Sequence, residues 1–243
     1  MFSFNIDNRS LYLLLIIIAI FSLASLDIVG ILLTLPGVIL AISFHEYAHA
    51  FAADRLGDTT PRNQGRLTLN PMAHIDPVGI FMLIFAHIGW GKPVEVNHNN
   101  FTRNVSMETG QAIVSLAGPL MNFILSILLT IMYFTLATLA TSFIVTNQLA
   151  QIFMQIIYSA IVVNIGLGVF NLLPVPPLDG SKIFLRFLPY KAKYWIQSNE
   201  TIIYLVFLGL MITGVLGYIV SPVINVVYTG IWKLVAAIFG LFI

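Results

Sequence analysis

Residues 31–53 read ILLTLPGVILAISFHEYAHAFAA, an apolar stretch long enough to cross a membrane as one helix. Its only acidic or basic side chains are those of His45, Glu46 and His49. Because helical residues four apart lie on one face, both imidazoles can reach one metal ion. The adjacent glutamate can act as the general base of a metal-assisted hydrolysis. The stretch therefore predicts a transmembrane helix that supplies part of a hydrolytic metal site.

The composition of the whole chain indicates an integral membrane protein with several spans. Of the 243 residues, 58% are hydrophobic and 9% are charged, whereas soluble domains carry about 25% charged residues. The net charge is +1, and no basic block suggests a nucleic-acid partner. Cysteine is absent, which excludes disulfides and thiolate ligands. Any metal must therefore be held by His, Asp or Glu.

Six apolar segments are predicted to cross the bilayer, which makes the fold class an all-α polytopic membrane protein. The first has no convincing cleavage site after it, so we interpret it as a retained span rather than a signal peptide. We expect one transmembrane domain over 1–243, with two additional C-terminal spans in 199–243. The predicted spans are 11–27, 31–54, 109–141, 150–173, 199–220 and 222–243.

A small β or re-entrant insertion is predicted between spans two and three, over 58–105. Residues 78–90 are apolar but short for a span, and they follow two Asx-Pro pairs, which favours a re-entrant or interfacial element. Residues 66–69 and 93–96 alternate in polarity, which is typical of strands. We therefore expect one small sheet there.

The distribution of lysine and arginine predicts the orientation. Segments 54–108 and 180–198 carry most of these residues, whereas the connections near 28–30, 142–149 and 221 carry none. The positive-inside rule places the two basic segments in the cytoplasm. With six spans, both termini are then cytoplasmic as well, in a multi-pass protein of the cell membrane.

Asp179 is the favoured third ligand, since zinc hydrolases usually provide three protein ligands. It ends the segment NLLPVPPLDG, residues 171–180, whose prolines cannot continue a helix and whose glycine permits a sharp turn. An ionisable side chain at such a break indicates a functional site. The predicted orientation places Asp179, His45 and His49 at the same depth near the cytoplasmic face.

Other histidines and aspartates have simpler interpretations. Loop histidines near turn residues, a histidine in a short apolar run, and aspartates at a boundary or before proline seldom need a metal to explain them. We therefore expect none of the following to be a ligand: His74, His87, His98, Asp27 and Asp76.

Several motifs together resemble the site-2 protease family of intramembrane zinc metalloproteases. The likeness covers most of 31–186, the expected catalytic core, and fits the compact prokaryotic branch that has no peptide-binding or regulatory domain. It rests on His45-Glu46-Tyr-Ala-His49, Gly118-Pro-Leu-Met-Asn122, Asn171-x-x-Pro-x-Pro-x-Leu-Asp179-Gly180, and the segments Arg66–Pro71, Asp76-Pro77 and Lys92–Phe101.

The resemblance implies a role for each matching residue. His45, His49 and Asp179 match the ligands of one zinc ion, and Glu46 matches the general base. Asn171 matches an asparagine that helps to bind substrate or the developing oxyanion, although a structural hydrogen bond explains it equally well. The glycine and asparagine of the third span match a motif for close helix packing, and we expect a packing role for the asparagine seven residues before Asn171.

The expected function is zinc-dependent intramembrane endopeptidase activity. The expected partners are the lipid bilayer and the transmembrane segment of a membrane-anchored transcription factor or anti-sigma factor. Two alternatives use the same residues: a metal transporter, which needs a continuous polar path across the bilayer, and a non-catalytic scaffold of the same fold. The sequence determines neither the substrate identity nor the oligomeric state.

Overall fold

The computed structural model describes residues 27–86, 89–102 and 105–240, and this part of the chain is mostly helical. The predicted span 11–27 lies outside the described residues except for Asp27. Two short 3-10 turns, Pro71–Ala73 and His98–Asn100, occur between Asn63 and Met107. The helices are α1 (Ile28–Leu56), α2 (Thr60–Asn63), α3 (Pro77–Ala86), α4 (Met107–Leu139), α5 (Thr141–Thr146), α6 (Gln148–Asn171), α7 (Asp179–Leu185), α8 (Tyr190–Ser198), α9 (Glu200–Ile212) and α10 (Val215–Gly240).

Four described helices, α1, α4, α6 and α10, are long and apolar enough to cross a membrane. The pair α8–α9 qualifies only if it counts as one broken span, because it bends by 68°. Six spans are therefore not observed in the described part of the chain. The predicted boundary at residue 221 is wrong, because Pro222 lies inside α10. The helices part instead at Gly214, whose φ of +74° suits glycine alone.

The core of the bundle is formed by α1, α4 and α6, which pack closely and share buried polar contacts. Gly37 of α1 lies against Ala160 of α6, so closely that a Cβ on the glycine would come within 2.7 Å of the alanine Cα. Asn122 of α4 donates from Nδ2 to the Ala41 carbonyl at 3.1 Å and to Asn164 Oδ1 at 3.0 Å. These contacts tie all three helices together at one depth.

The insertion between α1 and α4 contains a hairpin, and its described residues form no sheet. Helix α3 leaves the loop at Pro77, and the chain returns to meet its own start through an isolated bridge between Ile75 and Gly91. Lys92 N–H donates to the His74 carbonyl at 2.8 Å. We call residues 73–76 and 90–92 the neck of this hairpin.

The strands expected over 66–69 and 93–96 are not formed in the described residues. Arg66 donates from its guanidinium to the carbonyls of Ala73 and Lys92, which lie just beyond the two expected strands. Asp58 Oδ2 accepts a hydrogen bond from the backbone N–H of Asn97 at 2.7 Å. This bond fastens the 93–96 segment to the end of α1. Side-chain hydrogen bonds therefore replace the expected ladder.

Asp58 is fully buried just beyond α1, and hydrogen bonds keep it charged. Burial alone would raise its pKa, but bonds from Thr60, Asn100 and Asn97 outweigh burial and hold the pKa below the usual aspartate value. The charged carboxylate therefore anchors the loop that follows the hairpin.

The direction of α10 follows from its contacts with α6. A Cβ placed on Gly166 would lie 4.0 Å from Ile224 Cδ1. The ring of Tyr228 lies 6.3 Å from that of Tyr158. Residue numbers thus rise along α10 as they fall along α6, and the two helices are antiparallel. Helix α10 therefore begins on the side of the bundle where α6 ends. The segment that contains α7, α8 and α9 starts and finishes on that same side.

This packing predicts that Gly240 lies on the opposite membrane face from Thr59, whereas the six-span topology places both on one face. Single-cysteine variants at Thr59, Ser198 and Gly240 test the difference, since the chain has no cysteine of its own. With a membrane-impermeant maleimide, we expect the Thr59→Cys and Ser198→Cys variants to label from one face and Gly240→Cys only from the other. Labelling of all three from one face would contradict the observed direction of α10.

Candidate metal centre

Three potential ligand atoms converge where α1 meets the start of α7. His45 Nε2 and His49 Nε2 are 3.0 Å apart, and each lies 3.1 Å from Asp179 Oδ2. The two histidines are buried, at 5% and 8% exposure. Donor atoms this close together can all contact one ion, so this group can hold a metal.

The outer nitrogen of each imidazole faces a hydrogen-bond acceptor. His45 Nδ1 lies 2.7 Å from Asn122 Oδ1, and His49 Nδ1 lies 2.7 Å from the Val114 carbonyl. Asn122 presents its oxygen to His45 because its amide group donates to Ala41 and Asn164. Both Nδ1 atoms must therefore carry the proton, as metal-binding histidines usually do.

This arrangement fits a cation when both histidines are neutral. With the protons on Nδ1, the two Nε2 atoms and Asp179 Oδ2 present only lone pairs to one another at about 3 Å. Such acceptors repel one another unless a positive charge lies between them. Two imidazoles and a carboxylate are a ligand set that zinc accepts.

Gly118 of α4 provides the space in which the imidazoles lie. A Cβ at this position would lie 2.5 Å from His49 Nε2 and 2.6 Å from His45 Cε1. No real side chain fits at such distances, so glycine is required for the close approach of α4. The predicted packing motif of the third span therefore contacts the candidate ligands themselves.

Asp179 reaches the histidines because the chain unwinds after α6. Residues 172–178 are not helical, and Asp179 is the first residue of α7. Gly180 packs against the carbonyls of Leu172 and Leu173, where a Cβ would overlap the backbone. The segment therefore folds back on itself, as its prolines and glycine predict.

Glu46 lies beside the cluster and faces the same cavity of about 580 Å³. Its Oε2 accepts a hydrogen bond from the Val94 amide at 2.9 Å. The carboxylate is thus held in place by the loop that follows the hairpin neck. A carboxylate fixed beside a metal site is suitably placed to move protons.

Asn171 also lines this cavity, but its amide is engaged elsewhere. Nδ2 donates to the Leu167 carbonyl of its own helix at 3.0 Å. Asn164 is fully buried and bonds to Asn122 and Ala160, in keeping with a packing role. Of the two asparagines, only Asn171 has access to the cavity.

The remaining histidines and aspartates do not join a group of three possible ligands within the described ranges. His74 is fully buried, with Nε2 2.7 Å from the Thr68 carbonyl. Asp27 caps α1 and Asp76 accepts from the amide of Val78 near the start of α3. His98 lines the cavity wall without reaching the cluster. His87 lies outside the described residues.

Sequence reasoning missed two contacts that organise the site. One is the bond between Asn122 and His45, and the other is the bond from the Val94 amide to Glu46. An asparagine in the middle of an apolar helix was the available signal for the first. A backbone amide leaves no signal in the sequence, so the second contact required the structure.

A second cavity of about 670 Å³ adjoins the first. Its walls come from α1, α3, α6 and α10 and are mostly apolar. Residues common to both cavities include Ile42, Trp90, Leu167, Phe170 and Met211. The metal centre therefore borders an apolar space between membrane helices.

Comparison with known proteins agrees with this chemistry. The model of Peptidase family M50 matches residues 33–214. The protein named "Putative zinc metalloprotease YwhC" from Bacillus subtilis is 36% identical over 207 residues, which cover 83% of this chain and 90% of that protein. "Putative zinc metalloprotease Rip2" from Mycolicibacterium smegmatis is 32% identical over 167 residues, which cover 67% of this chain and 60% of that protein. No solved structure matches the chain.

The family match spans α4 and α6 whole, most of α1, and the loop that carries Asp179. It thus includes every residue of the cluster and the glycine packed against it. The chain therefore belongs to peptidase family M50, the site-2 protease family, as a membrane metallopeptidase whose histidine and aspartate cluster fits zinc.

Proposed function

We propose that this protein is a zinc-dependent endopeptidase that cuts its substrate within the membrane. The observation that carries the proposal is the convergence of three potential metal ligands beside Glu46, where both histidines and the glutamate lie on a helix apolar enough to span a bilayer. His45, His49 and Asp179 would hold the ion. Zinc bound there would polarise the scissile carbonyl and make the attacking water more acidic.

Glu46 is the proposed general base. The Val94 amide fixes Oε2, which leaves Oε1 to take the proton from the attacking water. The same carboxyl group then passes that proton to the leaving amine. The His45 and His49 rings hold their orientation throughout, because their Nδ1–H groups donate to Asn122 Oδ1 and to the Val114 carbonyl.

Asn171 is the proposed oxyanion donor. Its amide now bonds to Leu167, so rotation of the side chain into the cavity would free Nδ2 to donate to the substrate. Such a donor stabilises negative charge that develops only in the transition state. The position of Asn171 in the cavity wall supports this role, whereas its hydrogen bond to the Leu167 carbonyl supports a purely structural one.

The proposed substrate is a transmembrane segment, which the apolar second cavity supports. A helix hides its carbonyls in hydrogen bonds, so the substrate must unwind locally before it is cut. Segments near 60–70 and 92–97 are candidates for β-pairing with an unwound substrate, and only the second lines the cavity beside Glu46, through Pro93, Val94 and Val96. Residues 60–63 are helical instead. Pairing along 93–96 would present the scissile bond to Glu46.

The regulatory nature of the substrate is inferred from the position of the site. His45 and His49 lie two to three turns before the end of α1, on the side that is rich in lysine and arginine. Cleavage near a cytoplasmic face would release a soluble fragment inward. A membrane-anchored transcription factor or anti-sigma factor is the kind of partner for which such release carries a signal.

We predict that Glu46→Gln abolishes cleavage while zinc remains bound. Glutamine keeps the size of the side chain and can still accept from the Val94 amide, but it cannot take up a proton. The fall in rate should be at least about a hundredfold. The measurement is co-expression with a panel of single-span proteins tagged at both ends, together with the zinc content of the purified protein.

Undiminished cleavage by this variant would remove Glu46 from the mechanism. Absence of any zinc-dependent fragment with the wild-type protein, across a panel of transcription-factor and anti-sigma-factor anchors, would count against the proposed substrate class. Metal uptake into vesicles that contain the purified protein would favour the transporter alternative.

We predict that Gly118→Ala weakens zinc binding by about tenfold or more, since the new methyl group must displace both imidazoles. Gly166→Ala is the matched control, because a methyl group there would meet only Ile224 at an ordinary distance of 4.0 Å. Competition with a fluorescent zinc chelator measures both affinities. Equal affinities in the two variants would show that α4 does not set the spacing of the ligands.

A further inference from the structure

We propose that Arg66 is a positioning residue for Glu46, which it serves by holding the hairpin neck so that the Val94 amide meets the glutamate carboxylate. This inference rests on the proposed role of Glu46 as general base. It concerns a residue outside the metal cluster that lies in a loop between two membrane helices.

Arg66 is buried, with 5% of its surface exposed. Its guanidinium donates through one nitrogen to the Ala73 carbonyl and through another to the Lys92 carbonyl. These carbonyls belong to opposite sides of the hairpin neck. Burying a guanidinium is costly, and its rigid planar fork of donors suits two acceptors at fixed positions. The side chain therefore clamps the neck.

The neck is linked to Glu46 by a short and stiff segment. Lys92 N–H donates to His74 at 2.8 Å, and two residues later Val94 N–H donates to Glu46 Oε2 at 2.9 Å. Pro93 lies between them and restricts the backbone through its fixed φ. Displacement of Lys92 would therefore carry the Val94 amide away from the carboxylate.

Charge supports the same arrangement. Burial lowers the pKa of Arg66, and the negative charges of Glu46 and Glu95 oppose that effect. The cation thus attracts the carboxylate that the loop holds. Arg66 belongs neither to the cluster nor to the cavity wall, so apart from this attraction it acts on Glu46 through the loop.

Amide hydrogen exchange at single-residue resolution tests this arrangement without relying on activity. In the full-length zinc-loaded protein, Arg66→Gln should speed exchange at both Lys92 and Val94 by about tenfold or more, since two charge-assisted bonds are lost. Glu46→Ala should speed exchange at Val94 alone. Arg66→Lys keeps the charge but not the fork, and should give an intermediate effect.

Arg62→Gln is the matched control, because Arg62 is 61% exposed and makes a surface ion pair with Asp54. Exchange at Lys92 and Val94 should not change in this variant. Zinc content and exchange within α6 should stay at wild-type values in all variants. Wild-type exchange at Val94 in Arg66→Gln, or equal acceleration throughout α6, would overturn the assignment.

Kinetics on any cleaved single-span substrate separates this inference from the proposed function. Arg66→Gln should lower kcat because the base is misplaced, and it should raise KM as well because the proposed substrate-pairing segment 93–96 follows the displaced neck. An unchanged kcat alongside an inactive Glu46→Gln variant would refute the role of Arg66 and leave the proposed function intact. A wild-type protein that cleaves nothing would refute the proposed function, and the exchange data would still decide whether Arg66 holds the loop.

Discussion

The close approach of three potential ligand atoms is the constraint that the rest of the site must satisfy. His45 Nε2, His49 Nε2 and Asp179 Oδ2 lie about 3 Å apart in a buried site, and the Nδ1–H groups of the two imidazoles donate to Asn122 Oδ1 and the Val114 carbonyl, so that in neutral histidines the three atoms repel one another. A cation at their centre turns that repulsion into attraction. Zinc ligation would therefore offset the cost of placing these groups in apolar helices.

The surrounding architecture meets the needs of this cluster. Gly118 allows α4 to approach both imidazoles, and Asn122 links His45 to α1 and α6. The prolines after α6 and the close packing at Gly180 return Asp179 to the depth of the histidines. The loop that follows the hairpin neck brings the Val94 amide to Glu46. Each feature serves the ligands or the proposed base, and the apolar cavity beside them fits a substrate that lies in the membrane.

The sequence predicted the site, which depends on local patterns, more accurately than it predicted the number and limits of the spans. The spacing of His45 and His49, and the proline-rich break before Asp179, act over a few residues and are visible in sequence. The end of α9 was misplaced because hydropathy cannot distinguish Pro222 inside a helix from a connection, whereas the positive φ of Gly214 sets the true break. The expected strands are not formed in the described residues, where side-chain hydrogen bonds from Arg66 and to Asp58 hold the neighbouring backbone instead.

X-ray absorption at the zinc edge of the purified wild-type protein would show whether two histidines and one aspartate bind a single zinc ion. We expect one zinc per chain, with a first shell of nitrogen and oxygen at about 2.0–2.2 Å. Multiple-scattering features from two imidazoles should be present. A protein that retains no zinc, or a shell with fewer than two imidazoles, would refute this assignment of the ligands.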